Sequence, residues 1–310
     1  MTADALAALR ADDLADALLD LAVPHEDVNP LLAVRERLLN DPVLLPRLER
    51  DVRSLVDGIG HVGSRRRVEP VPPGADAAER YFPVLVCLAA LPAVRAYHRR
   101  RAVPDGVSRR TLADLGRHMA LHRRSRGNGG LRHPGWLQLH FRGELYQLGR
   151  LQFQRDRLRS RIGTAVGAAG LPYRTGDHCL SVHIPDFLGP LTPAACDASV
   201  DRARAFFARH FPEEEYELAI CESWLLDPQL RGRLPRGANV LRFQDRFRLA
   251  SREDGGGEPG PGDARVIEFV FGDPGLRPAE LAPRTTLERA VVGHLLAGGH
   301  WYERGGWFTL

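Results

Sequence analysis

The sequence predicts an α+β protein with an all-helical N-terminal domain, residues 1–130, followed by a mixed α/β domain, residues 131–310. Upstream of residue 130, apolar residues recur with the spacing of amphipathic helices. Downstream of it they alternate with polar residues, as they do in strands with one buried face. The polar, glycine-rich run Arg126–Gly130 separates the two patterns and predicts the boundary between the domains.

The first domain is predicted to contain five helices. They are Ala3–Leu21, Pro30–Asn40, Val43–Val56, Ala75–Arg101 and Thr111–Arg124. Pro83 and Pro92 interrupt the fourth segment, and because proline lacks a backbone donor, kinks or two shorter helices are expected there. His118 and His122 lie one turn apart, but no acidic third ligand accompanies them. A surface or helix-end role is therefore favoured for both, and no metal site is predicted.

The second domain begins with a predicted hairpin, in which the strands Trp136–Arg142 and Leu145–Arg155 meet at Gly143-Glu144. The other predicted strands are Cys179–Ile184, Tyr216–Trp224, Asn239–Leu249 and Arg265–Phe271, and the main helices are Pro193–His210 and Thr286–Leu296. Trp301–Leu310 is predicted to form a terminal hairpin around Gly305-Gly306. The segment Ser251–Asp263 is rich in glycine and proline, which predicts a mobile loop.

Composition excludes several classes of function. All 43 basic residues are arginine, which excludes a Schiff-base or P-loop lysine. The net charge of +4 is small and the 39 acidic residues are interspersed, so no nucleic-acid partner is predicted. No apolar run is identified as long enough to cross a membrane, and Met1–Val23 has the pattern of an amphipathic helix instead of a signal peptide. The four widely spaced cysteines indicate buried thiols, so a cytoplasmic protein without a membrane partner is expected.

The most informative stretch is a predicted strand that leads through a loop into a helix. Leu180, Val182 and Ile184 alternate with polar residues, and Thr192-Pro193 supplies an N-cap and a first-turn proline. Unpaired backbone N–H groups and the positive end of a helix dipole bind anions at such a junction. The sequence therefore predicts a phosphate cradle in the loop around Gly189.

The segments YQLGRLQFQR, LSVHIPDFLGPLTPAACD, SWLLDPQL and TTLERAVVGHLLAGGHW and the order of the elements carry a family resemblance. The chain resembles bacterial proteins, common in actinobacteria, that join a helical N-acyltransferase N-terminal domain to a GNAT-like C-terminal domain. The resemblance implies a central, mostly antiparallel sheet and the use of acetyl-CoA or another acyl-CoA as co-substrate. It also implies an acyl transfer to an amine of a small molecule or peptide.

The resemblance implies where coenzyme A would lie. Val182 and Ile184 would pair with the pantetheine arm, and the loop would hold the phosphates through the residues Leu188, Gly189, Leu191 and Thr192. The loop departs from the usual acetyltransferase pattern, which has Gln or Arg, two residues, Gly, one residue, and Gly or Ala. This loop keeps one glycine and no arginine, and Pro190 and Pro193 donate no hydrogen bond.

Three residues are candidates for catalysis. His183 is the first candidate for the general base, because imidazole has a pKa near 6.5; the alternative is a histidine hydrogen-bonded inside the sheet. Glu222 is the second, expected to be partly buried; the alternative is a structural carboxylate paired with an arginine. Tyr146 could donate a proton to the departing thiolate or could serve packing alone. Cys221 has no base within its motif, which favours an inert thiol.

Two functions from different classes fit these observations. The first is an acyl-CoA-dependent acyltransferase in which the amine attacks the thioester directly with help from a general base. The second is a catalytically silent GNAT-like module that binds an acyl ligand or a protein partner. The incomplete phosphate loop favours the silent module, whereas the polar residues Ser181, His183, Glu222 and Tyr146 favour the enzyme.

Overall fold

The computed structural model describes residues 2–11, 13–63, 71–72, 74–131, 133–250 and 262–310. Contacts between Cα atoms divide the chain into two compact units, Met1–Gln147 and Leu148–Leu310. Most of the predicted loop Ser251–Asp263 lies outside the described residues.

The first unit is helical up to its last residues. Its helices are α1 (Thr2–Arg10), α2 (Leu14–Asp20), α3 (His25–Asn40), α4 (Leu44–Asp57), α5 (Ala77–Arg100), α6 (Asp105–Leu112), α7 (Asp114–Arg126) and α8 (Pro134–Phe141). The first strand, β1 (Leu145–Leu148), spans the boundary between the units. The all-helical first part is therefore confirmed, although the predicted helix Ala3–Leu21 is divided into α1 and α2, and the predicted helix Thr111–Arg124 lies in α7 and the last two residues of α6.

Helix α5 forms the centre of the helical core. It is continuous through Pro83 and Pro92, and fourteen of its residues are buried. By length and composition this helix could span a membrane, because an 18-residue window in it has a mean hydropathy of 1.4. The prediction that the chain has no apolar run of sufficient length was therefore wrong. However, 67% of that window is buried, as in the core helix of a globular domain, and one such helix is weak evidence for a span.

The segment Trp136–Arg142, predicted to be a strand, belongs to helix α8. Leu137 and Phe141 are both fully buried and lie four residues apart, which places them on one face of a helix. Pro134 at the first position fits a helix N-terminus. A short apolar run fits both the two-residue period of a strand and the 3.6-residue period of a helix. Here the packing of Leu137 and Phe141 against the helical core selects the helix.

The second unit is a mixed α/β domain. Its strands are β2 (Leu151–Arg157), β3 (His178–His183), β4 (Leu218–Ser223), β5 (Arg248–Leu249) and β6 (Arg304–Thr309). Its helices are α9 (Ser160–Ala168), α10 (Pro193–His210), α11 (Asn239–Gln244), α12 (Asp263–Phe271) and α13 (Thr286–Leu296). The strands lie in the order β2-β3-β4-β6-β5, and every pairing among them is antiparallel except that of β3 with β4. The two-residue turn Gly149-Arg150, and not Gly143-Glu144, joins β1 to β2 in a hairpin. The predicted mostly antiparallel sheet is confirmed.

Three predicted strands of this unit differ in the structure. The segment Arg265–Phe271 lies in helix α12, where Val266 and Ile267 are buried, and most of Asn239–Leu249 forms α11, leaving only β5 as strand. The terminal segment is one strand, β6, instead of a hairpin. Its Gly305 and Gly306 lie in the ladder opposite Glu222 and Cys221, where a Cβ atom would come 3.2 Å from Ile162 and 3.0 Å from Phe247. These glycines therefore allow close packing and make no turn.

Candidate functional site

The loop from Pro185 to Leu191 connects strand β3 to helix α10, as the sequence predicts. Thr192 is the N-cap, its Oγ1 accepts a hydrogen bond from the Ala195 N–H at 3.3 Å, and Pro193 is the first helical residue. Helix α10 spans 18 residues, so the positive end of a full helix dipole faces this loop.

Four backbone donors at the end of the loop and the start of the helix have no acceptor among the described residues. The N–H groups of Leu188, Gly189, Leu191 and Thr192 donate no hydrogen bond within the described part of the chain. Gly189 is exposed and has a φ of +75°, a backbone conformation that residues other than glycine rarely adopt. Four open donors beside a helix N-terminus form the kind of surface that binds phosphate.

Strands β3 and β4 separate next to this loop. Their parallel pairing covers only Leu180 with Ala219 and Ser181 with Ile220. Both strands continue: β3 pairs with β2 up to His183, and β4 pairs with β6 up to Ser223. Within the described residues the two strands are therefore not paired with each other beyond Ser181 and Ile220, and an extended ligand can pair with their facing edges.

His183 lies at the end of β3, half-buried, and bonds to the neighbouring strand. Its Nε2 is 3.0 Å from Oε1 of Gln154 on β2. With the Gln154 amide oriented so that Oε1 faces this nitrogen, the imidazole donates from Nε2, and its lone pair is then on Nδ1. Alternation from the buried Cys179, which packs with residues of α9, puts Ser181 and His183 on the α9 face of the sheet.

Glu222 shares that face but is exposed, so its expected partial burial is wrong. Its carboxylate is 3.0 Å from Nη1 of Arg159, whose Nη2 is 3.4 Å from Asp156. Leu218 and Ile220 precede it on the same face, and it lies at the open end of β4, beyond the last residues paired with β3. Continuing the register of the two strands by two residues places Glu222 across from His183.

Tyr146 belongs to the first unit, where it is fully buried. Its ring packs against His98 with the centroids 5.5 Å apart. His98 in turn is hydrogen-bonded to Ser108 at 2.7 Å, and burial lowers the pKa of His98 to about 4. The role of Tyr146 as a proton donor stays a prediction.

Cys221 is buried, and burial strongly raises the pKa of its thiol. The thiolate needed for a covalent acyl intermediate is therefore disfavoured, in agreement with the inert thiol expected from the sequence.

Sequence reasoning missed two residues of this region. Gln154 was not singled out, although strand alternation places it on the same face as its cross-strand neighbour Ser181. Arg150, in the turn before β2, donates from Nε to the Gly189 carbonyl at 2.9 Å and from Nη1 to the Pro185 carbonyl at 2.8 Å. No pattern in the sequence indicates a bond across 35 residues, because it depends on how the hairpin packs against α10.

Two family models together match nearly the whole chain. The model described as an N-acyltransferase N-terminal domain matches residues 12–143, and the one described as a GNAT-like C-terminal domain matches residues 145–308. No curated protein matches the chain.

Several solved structures are similar to this chain along most of its length. One is an acyltransferase in complex with decanoyl-CoA, with 39% sequence identity, a TM-score of 0.82 and coverage of 97% of this chain and 88% of that one. An acyltransferase in complex with CoA and 10C-teicoplanin has 38% identity, a TM-score of 0.84 and the same coverage. An acyltransferase mutant in complex with octanoyl-CoA has 38% identity and a TM-score of 0.83, again with 97% and 88% coverage.

Proposed function

The chain belongs to the N-acyltransferase family with a GNAT-like C-terminal domain and is an acyl-CoA-dependent acyltransferase, and we propose that it transfers a medium-chain acyl group to a teicoplanin-type amine. The predicted acyltransferase is confirmed, and the alternative of a silent module is set aside. Octanoyl and decanoyl groups are favoured over acetyl because acyltransferases 38–39% identical over 97% of the chain hold those thioesters. Because acyl-CoA is a cytoplasmic metabolite, we place the reaction in the cytoplasm.

The separation of β3 and β4 is the observation in this chain that supports acyl-CoA binding. The amides of a pantetheine arm can pair with the open edge at Val182 and Ile184, as an added strand pairs with a sheet. The thioester would then lie between the ends of the two strands. The diphosphate would follow at the open N–H groups of Leu188, Gly189, Leu191 and Thr192.

His183 is the proposed general base. The amine nitrogen attacks the thioester carbonyl carbon, and the C–N bond forms as Nδ1 of His183 takes the amine proton. The C–S bond then breaks, and the imidazolium returns the proton to the coenzyme A thiolate. Gln154 fixes the tautomer, since its Oε1 holds the proton on Nε2. General base catalysis contributes about 10²–10⁴ in rate, and the positioning of amine and thioester contributes about 7–11 kcal/mol.

Glu222 is assigned an electrostatic role in this scheme. It lies on the same face as His183, but its carboxylate is already ion-paired with Arg159. An ion-paired carboxylate is a weaker proton acceptor than a neutral imidazole near pH 7. It would instead hold Arg159 at the open end of the sheet.

The experiment is an assay of the purified protein with a teicoplanin core that carries a free amine. Acetyl-, octanoyl- and decanoyl-CoA are supplied separately, and mass spectrometry follows the acylated product and released CoA. We expect octanoyl- and decanoyl-CoA to give acylated product at higher kcat/KM than acetyl-CoA. Acylation of simple amines but not of the teicoplanin core would refute the acceptor, and a preference for acetyl-CoA would refute the chain length.

A further inference from the structure

The turn that carries Arg150 is fixed to helix α10. The N–H groups of Arg150 and Leu151 both donate to Oγ of Ser199, at 2.8 and 3.3 Å. Gly149 has a φ of +90°, and a Cβ atom there would lie 2.7 Å from the Ser199 hydroxyl. The hairpin and the helix that follows the phosphate loop are therefore held at a set distance, with the Arg150 side chain beside the loop.

The guanidinium of Arg150 joins two carbonyls of that loop. Its bonds to Pro185 and Gly189 link residues four apart and close the loop into a ring. These bonds occupy acceptors of the loop, whereas the donors at Leu188, Gly189, Leu191 and Thr192 are left open. The loop therefore presents four backbone N–H groups together with the positive charge of Arg150, although it contains only one glycine.

The remaining donors of Arg150 have no partner among the residues that the structure describes. A guanidinium has five N–H groups, and the described residues accept from only two of those on Arg150. No carboxylate lies within ion-pair distance of it in the described ranges, although the side chain is half-buried. Burial lowers the pKa of Arg150, an effect that Cys196 and Asp186 partly offset. A half-buried cation that forms no direct ion pair within the described residues, next to open amides, fits a bound anion.

We infer that Arg150 is the positioning residue for the diphosphate of acyl-CoA, clamping the loop and contacting the phosphates with its remaining N–H groups. It supplies from the hairpin the arginine that the loop itself lacks. This inference rests on the proposed use of acyl-CoA at the same loop. It is independent of the proposed acceptor and of His183 as the base.

The test compares substrates with and without the diphosphate. The protein and its Arg150→Ala variant are assayed with octanoyl-CoA and with S-octanoyl pantetheine, which keeps the thioester and pantetheine arm but has no phosphate. We expect the KM for octanoyl-CoA to rise about tenfold or more in the variant, with kcat little changed. The kcat/KM for S-octanoyl pantetheine should be the same in both proteins.

Arg157→Ala is the matched control. Arg157 lies at the other end of β2 and donates to the Gly176 carbonyl at 3.0 Å, so its removal also deletes an arginine-to-carbonyl bond. Arg157→Ala should change neither the KM for octanoyl-CoA nor the kcat/KM for S-octanoyl pantetheine. Arg150→Lys keeps the charge but reaches one carbonyl, and we expect it to restore part of the affinity for octanoyl-CoA.

Two results would overturn the inference. An equal loss with both substrates would mean that Arg150 supports only the fold, and an unchanged KM for octanoyl-CoA would mean that it contacts no phosphate. Calorimetric titration with free CoA needs no acceptor, so a wrong acceptor leaves this test intact. If Arg150→Ala does not fold, the same comparison is made with Arg150→Lys and Arg150→Gln.

Discussion

Two arginines along one hairpin strand have opposite surroundings. Arg155, within β2, is almost fully buried, and its Nε donates to Glu214 at 2.8 Å while its guanidinium lies 4.2 Å from the centre of the Phe211 ring. Arg150, just before β2, is half-buried and, within the described ranges, donates only to backbone carbonyls. Arg155 therefore has its anionic partner within the protein, whereas the inferred partner of Arg150 is the diphosphate of the ligand.

The same contrast distinguishes the two ends of strand β3. At its beginning His178 packs against Tyr216, whose hydroxyl bonds to the same Glu214. At its end His183 bonds to Gln154 and lies where β3 is no longer paired with β4. At the His178 end the polar groups Tyr216, Glu214 and Arg155 bond to one another, so substitutions there should change stability. The other has open donors, so substitutions there should change binding and turnover.

The largest effect is expected from His183→Ala. Loss of the proposed base should lower kcat by about 10²–10⁴, with the KM for acyl-CoA unchanged, because the backbone that holds pantetheine is intact. His178→Ala, on the same strand, is the control and should keep its kcat. Steady-state kinetics with decanoyl-CoA check this prediction, and equal kcat values for the two variants would remove the contrast between the ends.

Arg155→Leu should cost stability without a specific effect on acyl-CoA affinity. It leaves the half-buried Glu214 without its cation, which costs about 3–5 kcal/mol of unfolding free energy. The double variant Arg155→Leu with Glu214→Leu should recover part of this loss, since no unpaired charge remains. Urea unfolding measures both. A double variant less stable than Arg155→Leu alone would show that Glu214 stabilises the fold even without its cation, through its bond from Tyr216.

Most elements that carry the site could be predicted from the sequence. The bounds of α10 were correct because Thr192 and Pro193 mark its start without ambiguity, and β3 was predicted to within one residue at each end because apolar and polar residues alternate along it. Helix α8 and helix α12 were mistaken for strands, since apolar runs of seven residues fit both periods until packing chooses one.

The partners of the site residues could not be predicted. The residue pairs Arg150 with Gly189, Gln154 with His183 and Arg159 with Glu222 are separated by 39, 29 and 63 residues. Such contacts depend on the register between strands and on the packing of α10, which a single sequence does not encode locally. Residue types and strand faces were therefore predictable, whereas the burial of Glu222 was not.

Acid should weaken the completed end of the sheet. Burial raises the pKa of Glu214, but the hydrogen bonds from Arg155 and Tyr216 outweigh it and leave this pKa below the ordinary 4.5. The stabilisation from this carboxylate is present above the unfolded-state pKa and is lost as pH falls through the lower folded-state value. The unfolding free energy should therefore drop as pH decreases below about 4.5, and Glu214→Gln should flatten that part of the curve. An unchanged slope in Glu214→Gln would assign the acid sensitivity to other groups.

The smallest effect is expected from Glu222→Gln, which tests whether the open end of the sheet contains one base or two. The ion pair of Glu222 with Arg159 is 39% and 46% exposed in its side chains, so its loss should change stability by about 0–1 kcal/mol. Because the carboxylate is already paired, turnover should stay well above the ~10²-fold loss that removal of a base causes. Steady-state kinetics of Glu222→Gln and His183→Ala, measured side by side, show which residue acts as the base. If both variants kept full turnover, neither residue would be the base, and if Glu222→Gln lost as much as His183→Ala, the base would be Glu222 or the two acting together.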